Sequence, residues 1–203
     1  MNQLLKQMLR VSVCLFALTG SAFADSLDDA KHDYNAGNYA KAAASFKELA
    51  QLGDAQAQFN LGAMYSNGLG VPRDYKESVK WCRRAAEQGH AIAQTKLGMM
   101  YGNGYGVPQD YQEAVKWYRL AAEQGEGEAQ GRLGSMYGLG RGVPQNNVLA
   151  HMWLNIAITN AGSKGQNDIV AVRDLTAKDM NASQIAEAQE LARKCSAQKF
   201  KGC

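Results

Sequence analysis

From Gly53 onward the apolar positions return on two periods at once, one of three to four residues within short stretches and one of 36 residues along the chain. Gly53 to Gln88 matches Gly89 to Gln124 at 24 of 36 positions without a gap, and Gly125 to Asn160 matches the second copy at 16. Thirteen positions are the same in all three copies: Gly53, Ala57, Gln58, Leu61, Gly62, Met64, Tyr65, Gly68, Gly70, Val71, Pro72, Trp81 and Ala85, with their equivalents 36 and 72 residues on. In the first copy Ala57, Leu61, Met64 and Tyr65 recur at helical spacing, and so do Val79, Trp81, Ala85 and Gln88. Each copy therefore predicts two amphipathic helices.

Between the helices, Gly68-Leu69-Gly70-Val71-Pro72 stops the first, and Asp74, Asp110 and Asn146 stand where an acceptor caps the amides that open the second. The second helix is expected to end at Gly89 or Gly125. Gly62 and its equivalents sit inside a helix, where glycine costs about 1 kcal/mol relative to alanine. Their recurrence predicts close approach of two helix backbones, with Trp81 or Tyr65 filling the space beside them. One pair alone leaves its apolar stripe in water, and stacked pairs bury it. The predicted fold is all-α, a right-handed α-solenoid of stacked antiparallel helix pairs whose first helices form a concave face.

The pattern A-x-x-x-L-G-x-x-Y-x-x-G-x-G-V-x-x-D-x-x-x-A-x-x-W-x-x-x-A-A-x-x-G, from Ala93 to Gly125, resembles the Sel1-like repeat, a relative of the tetratricopeptide repeat with a longer loop inside the pair. The resemblance covers residues 53–88, 89–124 and 125–160, within a repeat region of 53–162. Upstream, Ala30, Tyr34, Gly37, Tyr39, Ala42 and Phe46 look like a tetratricopeptide unit over 25–52, which is expected to cap the array. Downstream, residues 163–203 read as a C-terminal cap. Ser163 to Asn167 make a linker, Asp168 to Lys178 and Ala182 to Cys195 are two helices, and Asn181 with Gln184 forms a capping box on the second.

Residues 1–24 change the compartment. Lys6 and Arg10 without any acid precede the apolar run Val11 to Leu18, and Ala22-Phe23-Ala24 supplies an A-x-A cleavage site before Asp25. The run is far shorter than the ~20 residues of a membrane span. An export signal is expected, leaving a mature chain without a membrane span in the periplasm or outside the cell. Its removal lowers the net charge from +3 to +1, too little to attract nucleic acid. In an oxidising compartment Cys195 and Cys203 are expected to pair and hold the tail, by about 2 kcal/mol or less. Cys82 takes the position of Tyr118 and Leu154 and is expected to be a free, packed thiol.

Candidate chemistry is sparse. The Gly68, Gly104 and Gly138 loops follow helices and recur at the repeat period, unlike a phosphate loop, which follows a strand and occurs once. His32, His90 and His151 share no repeat position and are expected to be surface or partly packed, so no metal site and no cofactor is assigned. No G-x-S-x-G elbow appears, and pairs such as Asp28-Asp29 or Glu126 with Glu128 read as solvated helix ends. No catalytic residue is assigned. Binding is expected where the copies differ. Phe59, Asn60 and Ala63 of the first helix correspond to Thr95, Lys96 and Met99, then to Gly131, Arg132 and Ser135. Asn60, Lys96 and Arg132 form a polar column on the expected concave face, Phe59 and Met99 offer apolar anchors, and Ser135 completes the candidate set. The resemblance implies a non-enzymatic scaffold or adaptor with a protein or peptide partner. It carries a second class too, because some cysteine-rich secreted relatives are weak β-lactamases. Those hold a cysteine pair in every repeat, whereas Cys82 stands alone in these three copies.

Overall fold

The computed structural model describes residues 26–160 and 166–203. The expected export signal at 1–24 lies outside the described residues. Ten helices run through the described chain: α1 over 26–35, α2 Tyr39–Gln51, α3 Ala55–Asn67, α4 Tyr75–Glu87, α5 Ala91–Asn103, α6 Tyr111–Ala122, α7 Gly127–Leu139, α8 Asn147–Asn160, α9 Gln166–Ala177 and α10 Ala182–Ala197. Strands are absent among the described residues. The helices fall into two compact units, one ending at Asp74 and one running from Tyr75 to Cys203.

In the first unit Ala30, Ala42 and Phe46 are buried, and the rings of Tyr34 and Tyr39 meet edge to face at 5.3 Å. Asp54 caps α3 by accepting from the amide of Ala57 at 2.6 Å, and Gly68 ends that helix in the left-handed conformation. Gln58 reaches back to donate to the carbonyl of Ala50 at 3.1 Å, a second donor beside the amide of Gly53 at the end of α2.

In the second unit the pairs α5 with α6 and α7 with α8 stack in chain order, α4 lies against α5, and α9 and α10 each pack on α8. The core runs through Leu97, Met100, Ala114, Tyr118, Leu133, Trp153 and Ile156. Gly98 marks the closest approach within a pair. A Cβ there would stand 2.7 Å from the Tyr118 ring and 3.2 Å from the carbonyl oxygen of Ala114. The filler is thus the residue after the repeat tryptophan, and Leu154 plays the same part beside Gly134. This corrects the expectation of a tryptophan or tyrosine at the Trp81 or Tyr65 positions. Trp117 is only half-buried, whereas Trp81 and Trp153 are buried. Gln88, read as part of an apolar stripe, is exposed.

Consecutive repeats are joined by polar contacts at fixed positions. Gln94 donates to the carbonyl of Ala86 at 3.0 Å and Gln130 to that of Ala122 at 3.1 Å, each a second donor at a helix end beside the amide of Gly89 or Gly125. Their own carbonyls accept from Gln124 at 2.8 Å and Asn160 at 2.9 Å. Arg83 donates to the Tyr101 hydroxyl, and Arg119 to that of Tyr137 at 2.6 Å. The loop after α5 lies on the start of α4, with the ring of Tyr105 stacked on Tyr75 at 5.2 Å. Gly106, at φ +74°, comes so near that a Cβ would stand 2.2 Å from the Tyr75 carbonyl oxygen.

One histidine departs from the expected surface or partly packed placement, and a partly packed one takes a capping role. His90 is the N-cap of α5, its Nδ1 accepting from the amide of Ala93 at 3.2 Å, where Asp54 and Glu126 use carboxylates. His151 is buried in α8 beside Asn155, their nitrogens 3.0 Å apart. At the C-terminus α9 begins at Gln166, two residues earlier than read. Asn181 and Gln184 close both arms of the capping box at 3.0 and 2.9 Å. Cys195 and Cys203 form a disulfide, and Phe200, within its loop, lies against Gly125.

Candidate partner-binding face

Residues at i, i+4, i+7 and i+11 share one stripe of a helix. On α5 that stripe is Ile92, Lys96, Met99 and Asn103, and on α7 it is Glu128, Arg132, Ser135 and Leu139. Ile92 is 53% and Leu139 62% exposed, so both stripes open to water. The start of α7 lies beside α5, since Thr95 of α5 donates to the Glu126 carboxylate that caps α7, at 3.2 Å. On the other flank α9 comes alongside α7. Its Ile169 stands 3.5 Å from where a Gly131 Cβ would be, and its Thr176 lies 3.8 Å from the same point at Gly138. With those two residues turned to α7, Asp168, Val172 and Leu175 continue the open stripe onto α9, Leu175 at 63% exposure.

The candidate residues occupy this face unequally. Lys96 is half-buried, and its ammonium makes no hydrogen bond or ion pair among the described residues. It lies near Cys82 of α4 and weakly favours that thiol's ionised form. Arg132 is exposed and holds only Glu128, one turn away on its own helix, at 2.9 Å. Met99 is half-buried at the edge of the core, and the Ser135 hydroxyl donates to the carbonyl of Gly131. Thr95 and Gly131, read as open positions, are buried between neighbouring first helices. Phe59 occupies the same repeat position on α3 in the first unit and is half-buried, and Asn60 beside it accepts from Gln56 at 3.2 Å. The structure thus brings Lys96, Met99, Arg132 and Ser135 onto one face. It adds Ile92, Leu139, Val172 and Leu175, which the column reading missed. Ile92 and Leu139 were findable as apolar residues four before Lys96 and seven after Arg132.

Elsewhere the groups suited to chemistry are quenched. Burial pushes the Cys82 thiol up to about 11, so at neutral pH it is protonated and a poor nucleophile. Burial lowers the pKa of His151, and the nearby Arg173 guanidinium lowers it further. No cluster of three or more His, Cys, Asp or Glu side chains suited to a metal ion occurs among the described residues. No described helix is long and apolar enough to cross a membrane. A shallow groove of about 520 Å³ lies on α6, lined by Val115, Lys116, Arg119, Leu120 and Glu123. Beside it the Trp117 indole N–H is buried without a partner, while its counterpart in Trp81 donates to Glu77 at 3.1 Å. In the second copy Glu113, the residue equivalent to Glu77, pairs with Lys116 as Glu77 does with Lys80, but it does not accept from Trp117.

Comparison with known proteins fits this geometry. The family model described as Sel1 repeat matches residues 55–90, 91–126 and 127–161. Among curated proteins none matches the chain. The structure is similar to that of a protective antigen present in uropathogenic Escherichia coli strains, which displays an SLR fold, with 36% identity and a TM-score of 0.70. That match covers 78% of this chain and 34% of the antigen. A Sel1 repeat protein from Oxalobacter formigenes is similar at 31% identity and a TM-score of 0.62, covering 76% of this chain and 64% of that one. The chain therefore spans about a third of the first and just under two thirds of the second. The fold is an all-α solenoid of stacked antiparallel helix pairs.

Proposed function

Because the chain belongs to the Sel1 repeat family, whose repeats support protein interaction scaffolds in general, we propose that it is an exported, non-enzymatic scaffold or adaptor that holds one protein or peptide partner on the face formed by its first helices. The observation that carries this reading is the open stripe over α5, α7 and α9, where Ile92, Leu139, Val172 and Leu175 are exposed around Lys96 and Arg132. Exposed apolar residues gathered on one face, with charges among them, mark an interaction surface rather than scattered surface apolarity. Phe59 and Asn60 stand at the equivalent repeat positions on α3 in the first unit. Export is supported by the leader-like residues 1–24 and by the disulfide, which persists in oxidising compartments. In the same reading the helices over 25–52 and 163–203 cap the array, and the mature chain resides in the periplasm or outside the cell.

Charge reversal tests it. Lys96→Glu combined with Arg132→Glu is expected to weaken capture of the native partner by more than about 1 kcal/mol, near fivefold, while the melting temperature stays nearly unchanged. Undiminished capture by the double variant would move the site off this face. The weak β-lactamase class is tested by a sensitive hydrolysis assay on purified protein. Turnover above buffer would overturn the non-enzymatic part of the proposal.

A further inference from the structure

Resting on the reading of this face as the binding surface, we propose that its partner is an extended segment carrying a carboxylate at one end and a large apolar side chain about six residues away. Three features of the face fix that chemistry. The first is Lys96, half-buried and without an ion-pair partner among the described residues. Partial burial strengthens its attraction for an incoming anion relative to a fully hydrated pair. The second is Arg132 at the same repeat position one helix over, tied only to the exposed Glu128, from which it can turn to a second acceptor. The third is the change of character across the face. In that row the next residue, on α9, is Val172, and in the adjoining row Met99 and Ser135 lead to Leu175. The row is cationic over α5 and α7 and apolar over α9, with Leu139 beside it.

The spacing follows from the helices. Packed helix axes lie about 10 Å apart, so α5 to α9 is roughly 20 Å, and an extended chain advances about 3.3 Å per residue. About six residues separate a side chain over Lys96 from one over Leu175. A short helix laid across the face would need roughly thirteen residues for the same span at about 1.5 Å per residue, so acid and apolar anchor would then stand twice as far apart in sequence.

The test is selection of random peptides of about twenty residues displayed on phage against the purified exported chain, followed by fluorescence polarisation with the selected peptides. Enriched peptides are expected to carry Asp or Glu five to seven residues from Leu, Ile, Met or Phe, in either order. Changing the peptide's acid to its amide is expected to weaken binding at least tenfold. Lys96→Glu with Arg132→Glu should do the same, with binding recovered by a peptide bearing Lys in place of the acid. Leu175→Asp should weaken every peptide of the set. Acid and amide peptides of equal affinity, a spacing of twelve or more, or no enrichment would overturn this partner chemistry. Peptides that bind but ignore both Leu175→Asp and the charge reversal would instead overturn the choice of face.

Discussion

Two glycines on α5, four residues apart, should respond to the same substitution with opposite signs. At Gly98 an added Cβ would lie 2.7 and 2.8 Å from two atoms of the Tyr118 ring and 3.2 Å from the Ala114 carbonyl oxygen. The ring is 4% exposed and has nowhere to swing, and the carbonyl belongs to the α6 backbone. Alanine there gains about 1 kcal/mol of helix propensity but incurs overpacking of up to about 3 kcal/mol. The expected net loss is about 2 kcal/mol, a fall in melting temperature of roughly 4 to 8 °C for a chain of this size. At Gly102 the Cβ would meet Ala114 Cβ at 3.8 Å and the Tyr118 hydroxyl at 3.9 Å, ordinary contact distances. Gly102→Ala should therefore stabilise by about 0.5 to 1 kcal/mol and raise the melting temperature. Thermal unfolding followed by circular dichroism, on both variants in one buffer, decides the matter. If Gly98→Ala melts as high as Gly102→Ala, the close approach of α5 to α6 is not what holds that glycine in place.

Gln130→Leu, which strips a donor from the Ala122 carbonyl and an acceptor from Asn160, should cost about 1 to 3 kcal/mol in urea unfolding; a loss within 0.5 kcal/mol would deny the clamp any weight. Because His151 has a lowered pKa in the fold, the unfolded chain takes up the proton first as pH falls. Its contribution is complete above pH ~6.5 and is lost progressively below it, and His151→Gln should flatten that part of the melting profile; an unchanged slope would assign the effect to other groups. Thiol titration of the mature chain, denatured but unreduced, should count one free thiol, and three after reduction, with Cys82 unreactive in the folded protein. Two thiols without reductant would contradict the Cys195 to Cys203 bridge.

The pairs, their loops and their caps were legible because they are written locally. Glycine and proline fall at the breaks, and Asp110, Asn146 and Asn181 stand one residue before the helices they cap. What escaped the sequence comes from elsewhere in the chain. Gly98 is filled by Tyr118 rather than Trp117, because a helical wheel does not distinguish two adjacent faces of α6 that are both apolar. Thr95 and Gly131 looked open because the helices covering them, α7 and α9, begin some thirty residues later. The run Asp168, Val172, Leu175 repeats the spacing of Glu128, Arg132, Ser135 forty residues on, four past the period, so the self-comparison lost it. His90 was missed as a cap because an imidazole takes over the acceptor role that Asp54 and Glu126 fill with carboxylates.

Photocrosslinking shows which face of the chain a partner occupies, the first-helix side or the second. A photoreactive residue is placed at Ser135 or Val172 on the open stripe, or at Leu120 on α6, which is 46% exposed and lies across the pair. Irradiation in the native compartment should give adducts with one and the same partner from the positions of Ser135 and Val172, and none from that of Leu120. An adduct formed from Leu120 alone would place the partner on the second-helix side and contradict the account.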